Sequence, residues 1–132
     1  MKAQELMTGD WVRLPLFERN AKVIRVGQSV IDTDIVYPVL EKAFEPIPLT
    51  PEILEANGYE IRTWNESYSK GYENKHSICP FFIEYMFVNQ CLFVNEGLVP
   101  TPVYYVHQLQ HALRLCGLND EADNFKLEGD KQ

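Results

Sequence analysis

The chain has 132 residues, of which 45% are hydrophobic and 23% are charged, and its formal net charge is -7 at pH 7. This length and composition suit one folded domain and argue against intrinsic disorder. An acidic chain gains little from non-specific attraction to phosphate groups, so the charge disfavours nucleic acid as a partner without excluding it.

The first third of the chain predicts a small, strongly bent β-sheet. Short β-type runs cover residues 11–17, 22–26 and 29–31, and a fourth run begins at Ile35. Turn residues end each of these runs, which makes a helix in this region unfavourable. We therefore predict an SH3-like, barrel-type β-unit over residues 1–49.

The clearest helix signal lies just after this unit. Thr50 stands at the N-cap position, and Pro51 occupies the first helical position, where a missing N–H is harmless. Gly58 can take the left-handed conformation that commonly ends a helix. We therefore predict a two-turn helix over residues 51–57.

The second half of the chain predicts strands and a final helix. A strand over 59–64 and a polar loop over 65–77 precede two apolar strands at 81–88 and 91–94, which meet at a turn. The last dozen residues are acidic and are expected to fray, apart from a short strand over 125–127.

The final helix is predicted over residues 103–116, and it carries an apolar stripe. Val106, Leu109 and Leu113 share the face that is expected to pack on the sheet. The predicted fold is thus α+β and forms a single compact domain, 1–132. Its 1–49 part is barrel-like, and its 50–132 part is a short helix and an antiparallel sheet covered by the C-terminal helix.

The sequence also bears on the cellular compartment. The opening residues contain no apolar signal core, and the most hydrophobic run, 78–94, is interrupted by polar residues. Cys79, Cys91 and Cys116 are odd in number and lie among apolar neighbours, which indicates free thiols in a reducing compartment. We expect a cytoplasmic protein with no membrane segment.

Three segments of the chain are similar to a known group of proteins. They are LMTGDWV at residues 6–12, PIPLTPEILEANGY at 46–59 and YVHQLQ at 105–110. Together they resemble a family of small proteins from Bacteroidetes genomes that are often associated with prophages or mobile elements. The resemblance implies this setting. Because the family has no established activity, it implies no catalytic residue.

His107 and His111 stand four residues apart on the last helix, a spacing at which two imidazoles can share a metal ion. A zinc site needs further ligands, and nothing in the sequence places His76, Cys79 or Cys91 beside them. We therefore expect no metal and no cofactor, with both imidazoles in water opposite the apolar stripe.

The same helix offers a structural alternative. His107 and Gln108 lie in its first turns, where side chains can hydrogen-bond to a neighbouring loop such as the proline-rich segment before Thr50. The sequence contains no nucleophile-elbow, P-loop or dinucleotide-binding motif. We therefore assign no catalytic residue.

A second candidate surface lies on the first strand. Trp11, Arg13 and Phe17 are expected on one face, with Lys22 or Arg25 on the adjacent strand. Aromatic and cationic groups on a small barrel bind peptides or single-stranded nucleic acid. The alternative is that the C-terminal half covers this face and buries Trp11 and Phe17.

These observations favour a non-enzymatic accessory or interaction protein of a phage or mobile element. Its partner is an unidentified protein or a second copy of the chain. The alternative is a nucleic-acid-associated module, and the most distant alternative is an enzyme or metalloprotein built around the histidine pair. The candidate interaction surface comprises Trp11, Arg13, Phe17, His107, Gln108 and His111.

Overall fold

A computed structural model describes residues 1–62, 67–72, 81–94 and 101–128 of the chain. The helices are α1 (Pro51–Ala56), α2 (Val106–Leu115) and α3 (Asn119–Asp123). The strands are β1 (Trp11–Leu14), β2 (Arg19–Val26), β3 (Val30–Thr33), β4 (Val39–Leu40), β5 (Glu60–Arg62), β6 (Ser67–Tyr72), β7 (Phe81–Met86), β8 (Cys91–Val94) and β9 (Thr101–Pro102).

The chain divides into two compact units. The first unit comprises Met1–Pro48 and Tyr105–Phe125, and the second comprises Leu49–Tyr104 and Lys126–Gln132. Helix α2 therefore belongs with the N-terminal sheet. The expected subdivision had placed this helix in the 50–132 part, on the second sheet.

The first unit contains an antiparallel sheet in the order β1-β2-β3-β4. The sheet curls into a half-barrel. The register between β2 and β3 shifts between Val23 and Arg25, and an irregularity of this kind bends a strand and increases its twist. The predicted α+β class and the small barrel-like N-terminal unit are confirmed.

One face of this sheet carries the core of the first unit. Val12 and Leu14 alternate inward along β1, as their spacing predicts. They belong to a buried cluster made of Ala3, Leu6, Val12, Leu14, Ala21, Val23, Ile31, Val39 and Phe44. The strand predicted from Ile35 starts later, at Val39, because Thr33 closes a turn through its hydrogen bonds with Val36.

Helix α2 contacts both β1 and α3 within the first unit. Val106, Leu109 and Leu113 are buried, as the apolar stripe predicts. His107 and Gln110 are buried as well, although the pattern places them outside the stripe. These two polar side chains of the helix are therefore expected to have hydrogen-bond partners inside the unit.

The acidic end of the first unit differs from the prediction. Residues 119–123 form α3 rather than a frayed tail, and Phe125 is buried with no strand around it. Asp120 and Glu121 lie in the first turn of α3, where negative charge is favourable near the positive end of the helix dipole.

The second unit contains α1 and an antiparallel sheet in the order β5-β6-β7-β8-β9. The hydroxyl of Thr50 accepts a hydrogen bond from the Ile53 amide at 3.2 Å, and Gly58 has a φ of 88°. The predicted cap, start and end of α1 are therefore confirmed, with the helix one residue shorter than expected.

Part of the loop predicted at 65–77 is a strand. Residues of β6 pair with β5 on one side and with β7 on the other, so this segment lies within the sheet. The polar composition conceals the strand, because backbone pairing on both sides does not depend on apolar side chains. Trp64, His76 and Cys79 lie outside the described residues.

Two further properties follow from the described elements. None of the helices within residues 1–62, 67–72, 81–94 and 101–128 has the length and apolar character that a membrane crossing requires. Cys91 and Cys116 are free thiols, and both are partly buried.

Candidate functional site

A buried charge cluster joins the Gly9-Asp10 turn to α2. The carboxylate of Asp10 is fully buried and accepts a hydrogen bond from the Met7 amide at 2.8 Å. Its Oδ1 atom lies 2.6 Å from Nη1 of Arg114, and its Oδ2 atom lies 2.5 Å from Nε2 of His111. A buried carboxylate requires such partners, so the charge of Asp10 is compensated within the protein.

Gln110 makes the second connection between the same two segments. Its side-chain oxygen accepts a hydrogen bond from the Trp11 amide at 3.0 Å. Its amide nitrogen donates to the carbonyl of Gly9 at 2.9 Å and to that of Ala122 at 3.0 Å. The segments LMTGDWV and YVHQLQ are thus in direct contact, and Gln110 has a structural role.

A concave pocket of about 730 Å³ lies beside the start of α2, and we call it the α2 pocket. All of its lining residues belong to the first unit. They are Met1, Gln4, Glu5, Met7, Pro46, Tyr105, His107, Gln108 and His111. Pockets that bind small ligands have volumes of this order.

The wall of the α2 pocket contains a buried imidazole. His107 is only 4% exposed, and its ring lies nearly parallel to that of Tyr105, with 5.9 Å between the ring centroids. The His111 ring lies edge-on at 5.7 Å. The expectation that both imidazoles lie in water is therefore wrong for His107, while His111 remains partly exposed.

The environment of His107 favours its neutral form. Burial lowers the pKa of this imidazole below 6.5, and the nearby His111 acts in the same direction. Asp10 and Glu5 oppose the shift without reversing it. The Nδ1 atom of His107 is buried and has no hydrogen-bond partner among the described residues. Such an orphaned polar atom is uncommon in a folded protein.

Other polar groups of the α2 pocket are more exposed than His107. Glu5 is exposed, and its carboxylate accepts a hydrogen bond from the Lys2 amide at 3.3 Å. The side-chain oxygen of Gln108 accepts from the Tyr105 amide at 3.2 Å. The start of α2 meets the proline-rich segment through its backbone, since the Val106 amide donates to the Ile47 carbonyl at 2.9 Å.

The histidine pair of α2 is the candidate metal site of the sequence. Nε2 of His111 is directed at Asp10, which is itself paired with Arg114. In the part of the chain that the structure describes, no three His, Cys, Asp or Glu side chains are grouped to hold a metal ion.

The three residues of the second candidate surface, on and after β1, differ in how exposed they are. The indole N–H of Trp11 donates to the carbonyl of Phe125 at 2.7 Å, and the Lys22 ammonium lies 5.3 Å from the indole centroid. Trp11 is therefore partly buried against the C-terminal segment of the first unit. Arg13 is also partly buried, whereas Phe17 is 51% exposed in a 3₁₀ turn after β1.

Several residues of this region have no clear signal in the sequence. The Gly9-Asp10 pair indicates a turn, but its charge partner, Arg114, is 104 positions away. Glu5 and Tyr105 join the α2 pocket only because the chain returns to the first sheet after residue 104. Periodicity reports local structure, so it cannot identify a site assembled from the two ends of the chain.

The α2 pocket combines a neutral imidazole, an exposed carboxylate and side-chain amides with apolar surface. Such a lining can orient a ligand that donates hydrogen bonds and also offers an apolar portion. Comparisons of the chain with protein-family models, with curated proteins and with solved structures find no match.

Proposed function

We propose that this chain is a non-enzymatic binding protein that holds a segment of a partner protein in the α2 pocket. The observation that carries the proposal is the concave α2 pocket, in whose wall the buried His107 ring lies against Tyr105. A concave surface with convergent polar groups is the usual form of a ligand site.

The composition of the pocket supports binding over catalysis. Covalent catalysis by an aliphatic hydroxyl or a thiol needs that nucleophile next to a base, and none of the described lining residues is a serine, threonine or cysteine. His111 is held by Asp10, whose charge Arg114 also compensates. Burial raises the pKa of the Cys116 thiol, which lowers its reactivity.

The biological setting is part of the same proposal. The resemblance of residues 6–12, 46–59 and 105–110 to the Bacteroidetes family supports an accessory role in a phage or mobile element. We place the protein in the cytoplasm, and the free thiols of Cys91 and Cys116 suit a reducing compartment.

The three methionines provide a direct test. Met1 and Met7 line the α2 pocket, whereas Met86 lies in β7 of the second unit and serves as an internal control. The protein, labelled with ¹³C at the methionine methyls, is titrated with a mixed library of blocked tripeptides. We expect concentration-dependent shifts of the Met1 and Met7 methyl signals and no shift of the Met86 signal.

Two results would contradict the proposal. One is a library that leaves Met1 and Met7 unchanged at millimolar peptide. The other is chemical conversion of the peptides, detected by mass spectrometry after incubation with the protein, because a binding protein returns its ligand unchanged.

A further inference from the structure

We propose that the α2 pocket recognises a basic side chain of the partner segment, with arginine preferred over lysine. This inference rests on the proposed function and specifies the chemistry of the bound group. It follows from the charge of the lining, from the acceptors that the lining offers and from its flat apolar surface.

The charge of the lining favours a cation. Glu5 is an exposed acidic side chain with no ion-pair partner in the described part of the chain. By contrast, the carboxylate of Asp10 behind the pocket is paired with Arg114 and His111. None of the described lining residues has a lysine or arginine side chain, and the α-amino group of Met1 is the cationic group that they carry. The net charge of -7 adds long-range attraction for a basic partner.

The uncharged polar groups of the lining are also suited to a donor-rich ligand. A neutral His107 has one acceptor nitrogen, and the exposed side chain of Gln4 carries a carbonyl oxygen. The oxygen of Gln108 already accepts from the Tyr105 amide. A guanidinium has five N–H donors and no acceptor, so it complements carboxylate, amide and imidazole acceptors together.

The apolar groups of the lining explain the preference for arginine. Met7 and Pro46 provide surface for the methylene stem of a long basic side chain. Tyr105 provides an aromatic ring, on which a planar guanidinium can stack. Lysine can use the stem contacts and the charge, but its compact ammonium lacks the planar stacking surface.

The start of α2 raises the opposite alternative, an anion bound at a helix N-terminus. Two amides of that end are already occupied. The Tyr105 amide donates to the Gln108 side chain, and the Val106 amide donates to the Ile47 carbonyl. Glu5 in the same lining would repel an anion, so the observations favour a cation.

The inference also carries a pH dependence. The charged or titratable groups around His107 are Tyr105, which stacks on it, and Glu5, Asp10 and His111, with Arg114 paired to Asp10. Because burial lowers the pKa of His107, the ring is neutral at pH 7 and becomes protonated only at lower pH. Protonation places a positive charge beside the bound cation, so binding weakens as the pH falls.

The test uses four blocked tripeptides, acetyl-Gly-X-Gly-amide, where X is arginine, citrulline, lysine or glutamate. Citrulline has the shape of arginine without its charge. Affinity is measured at low salt from the Met1 and Met7 methyl shifts of the intact chain. We expect arginine to bind at least about tenfold more tightly than citrulline, lysine to be intermediate and glutamate not to bind.

A pair of variants separates local from general electrostatics. Glu5→Gln and Glu18→Gln change the net charge equally, and both glutamates are exposed in the first unit, but only Glu5 lines the pocket. We expect Glu5→Gln to weaken arginine binding about fivefold and Glu18→Gln to leave it within error. Equal losses in both variants would overturn the inference.

The peptide series also distinguishes the two proposals. Equal binding of the arginine and citrulline peptides at Met1 and Met7 would overturn the basic-side-chain inference and leave the proposed function intact. Tighter binding of the glutamate peptide would have the same meaning. Absence of methyl shifts with every peptide and with the mixed library would overturn both.

Discussion

Asp10 shows how a single residue can link the two ends of the chain. Its carboxylate is fully buried and receives hydrogen bonds or ion pairs from the Met7 amide, His111 and Arg114. A buried charge is tolerated when such partners offset its desolvation, and removing one side leaves the others uncompensated. Asp10 is therefore a structural residue of the first unit, and it also fixes the orientation of His111 in the pocket wall.

We expect Asp10→Asn to destabilise the first unit by about 3 kcal/mol, because the change leaves the Arg114 guanidinium without its buried counter-ion. The variant keeps the shape of the side chain, so the loss reports charge rather than a cavity. Equilibrium urea unfolding, followed by Trp11 fluorescence in a Trp64→Phe background, measures the change.

Asp123 supplies the matched control for this substitution. It pairs with the same Arg114 at 3.3 Å, but its side chain is 56% exposed. Asp123→Asn should cost less than about 1 kcal/mol, since exposed ion pairs contribute little. Equal losses in the free energy of unfolding for the two variants would show that burial does not strengthen the contribution of the Asp10 ion pair.

His107 makes the stability of the protein depend on pH. Its pKa is lowered in the folded state by burial, so the unfolded chain binds the proton more readily below pH 6.5. The protein therefore has its full stability above the unfolded pKa of 6.5, where His107 is neutral in both states. Part of that free energy of unfolding is lost as the pH falls from 6.5 towards the lower folded pKa. We expect His107→Phe to reduce the loss of stability between pH 7.5 and pH 5.5.

The measurement compares urea unfolding of the wild type and the variant at both pH values. The variant retains an aromatic ring against Tyr105 and removes the titrating group. If the free energy of unfolding falls between pH 7.5 and pH 5.5 by as much in the variant as in the wild type, the pH dependence comes from groups other than His107.

At the scale of the element, α1 is the part of the fold that the sequence predicts best. Its cap at Thr50, its first residue at Pro51 and the left-handed glycine at Gly58 all lie within nine positions of one another. Every determinant of the helix is local, so the sequence pattern contains them all.

We expect Thr50→Ala to destabilise α1 by about 1 kcal/mol, because the Ile53 amide loses its 3.2 Å acceptor. Thr50→Ser keeps a hydroxyl at the same position and should retain most of this stability. Hydrogen exchange of the Ile53 amide is the direct measurement. Unchanged protection in the alanine variant would mean that the cap does not hold this end of the helix.

Helix α2 marks the limit of what the pattern predicts. The stripe of Val106, Leu109 and Leu113 follows from helical periodicity, but the burial of His107 and Gln110 does not. The partners of Gln110 are supplied by the Gly9 turn, which is 101 positions away, and by α3. Polar side chains inside a protein are specified by such distant partners, so the candidate site could not be derived from sequence alone.

The whole molecule shows the same dependence on distant parts of the chain. The first unit is built from Met1–Pro48 and Tyr105–Phe125, and the intervening segment belongs to the second unit. Pro48 and Tyr105 pair across an isolated antiparallel bridge, so the chain leaves the first unit and returns to it at adjacent positions. From the sequence we predicted a division at residue 49, because local patterns do not show that the chain returns to the first unit.

This arrangement implies that the first unit can fold without the inserted segment. Paired residues in an antiparallel bridge have Cα atoms about 5 Å apart, so a linker of about three glycine or serine residues can join Pro48 to Tyr105. We expect the shortened chain, without residues 49–104, to unfold cooperatively in urea. Trp11 is then its single tryptophan and reports the transition.

A chain that ends after Tyr104 is the informative comparison, because it keeps the whole N-terminal sheet and lacks α2 and α3. In that chain Asp10 has lost Arg114 and His111, and the backbone of Trp11 has lost Gln110. We expect its first unit to be unfolded, with no protected amides in β1. A folded sheet in this truncated chain, or an unfolded linker variant, would show that the two separate segments do not form one folding unit.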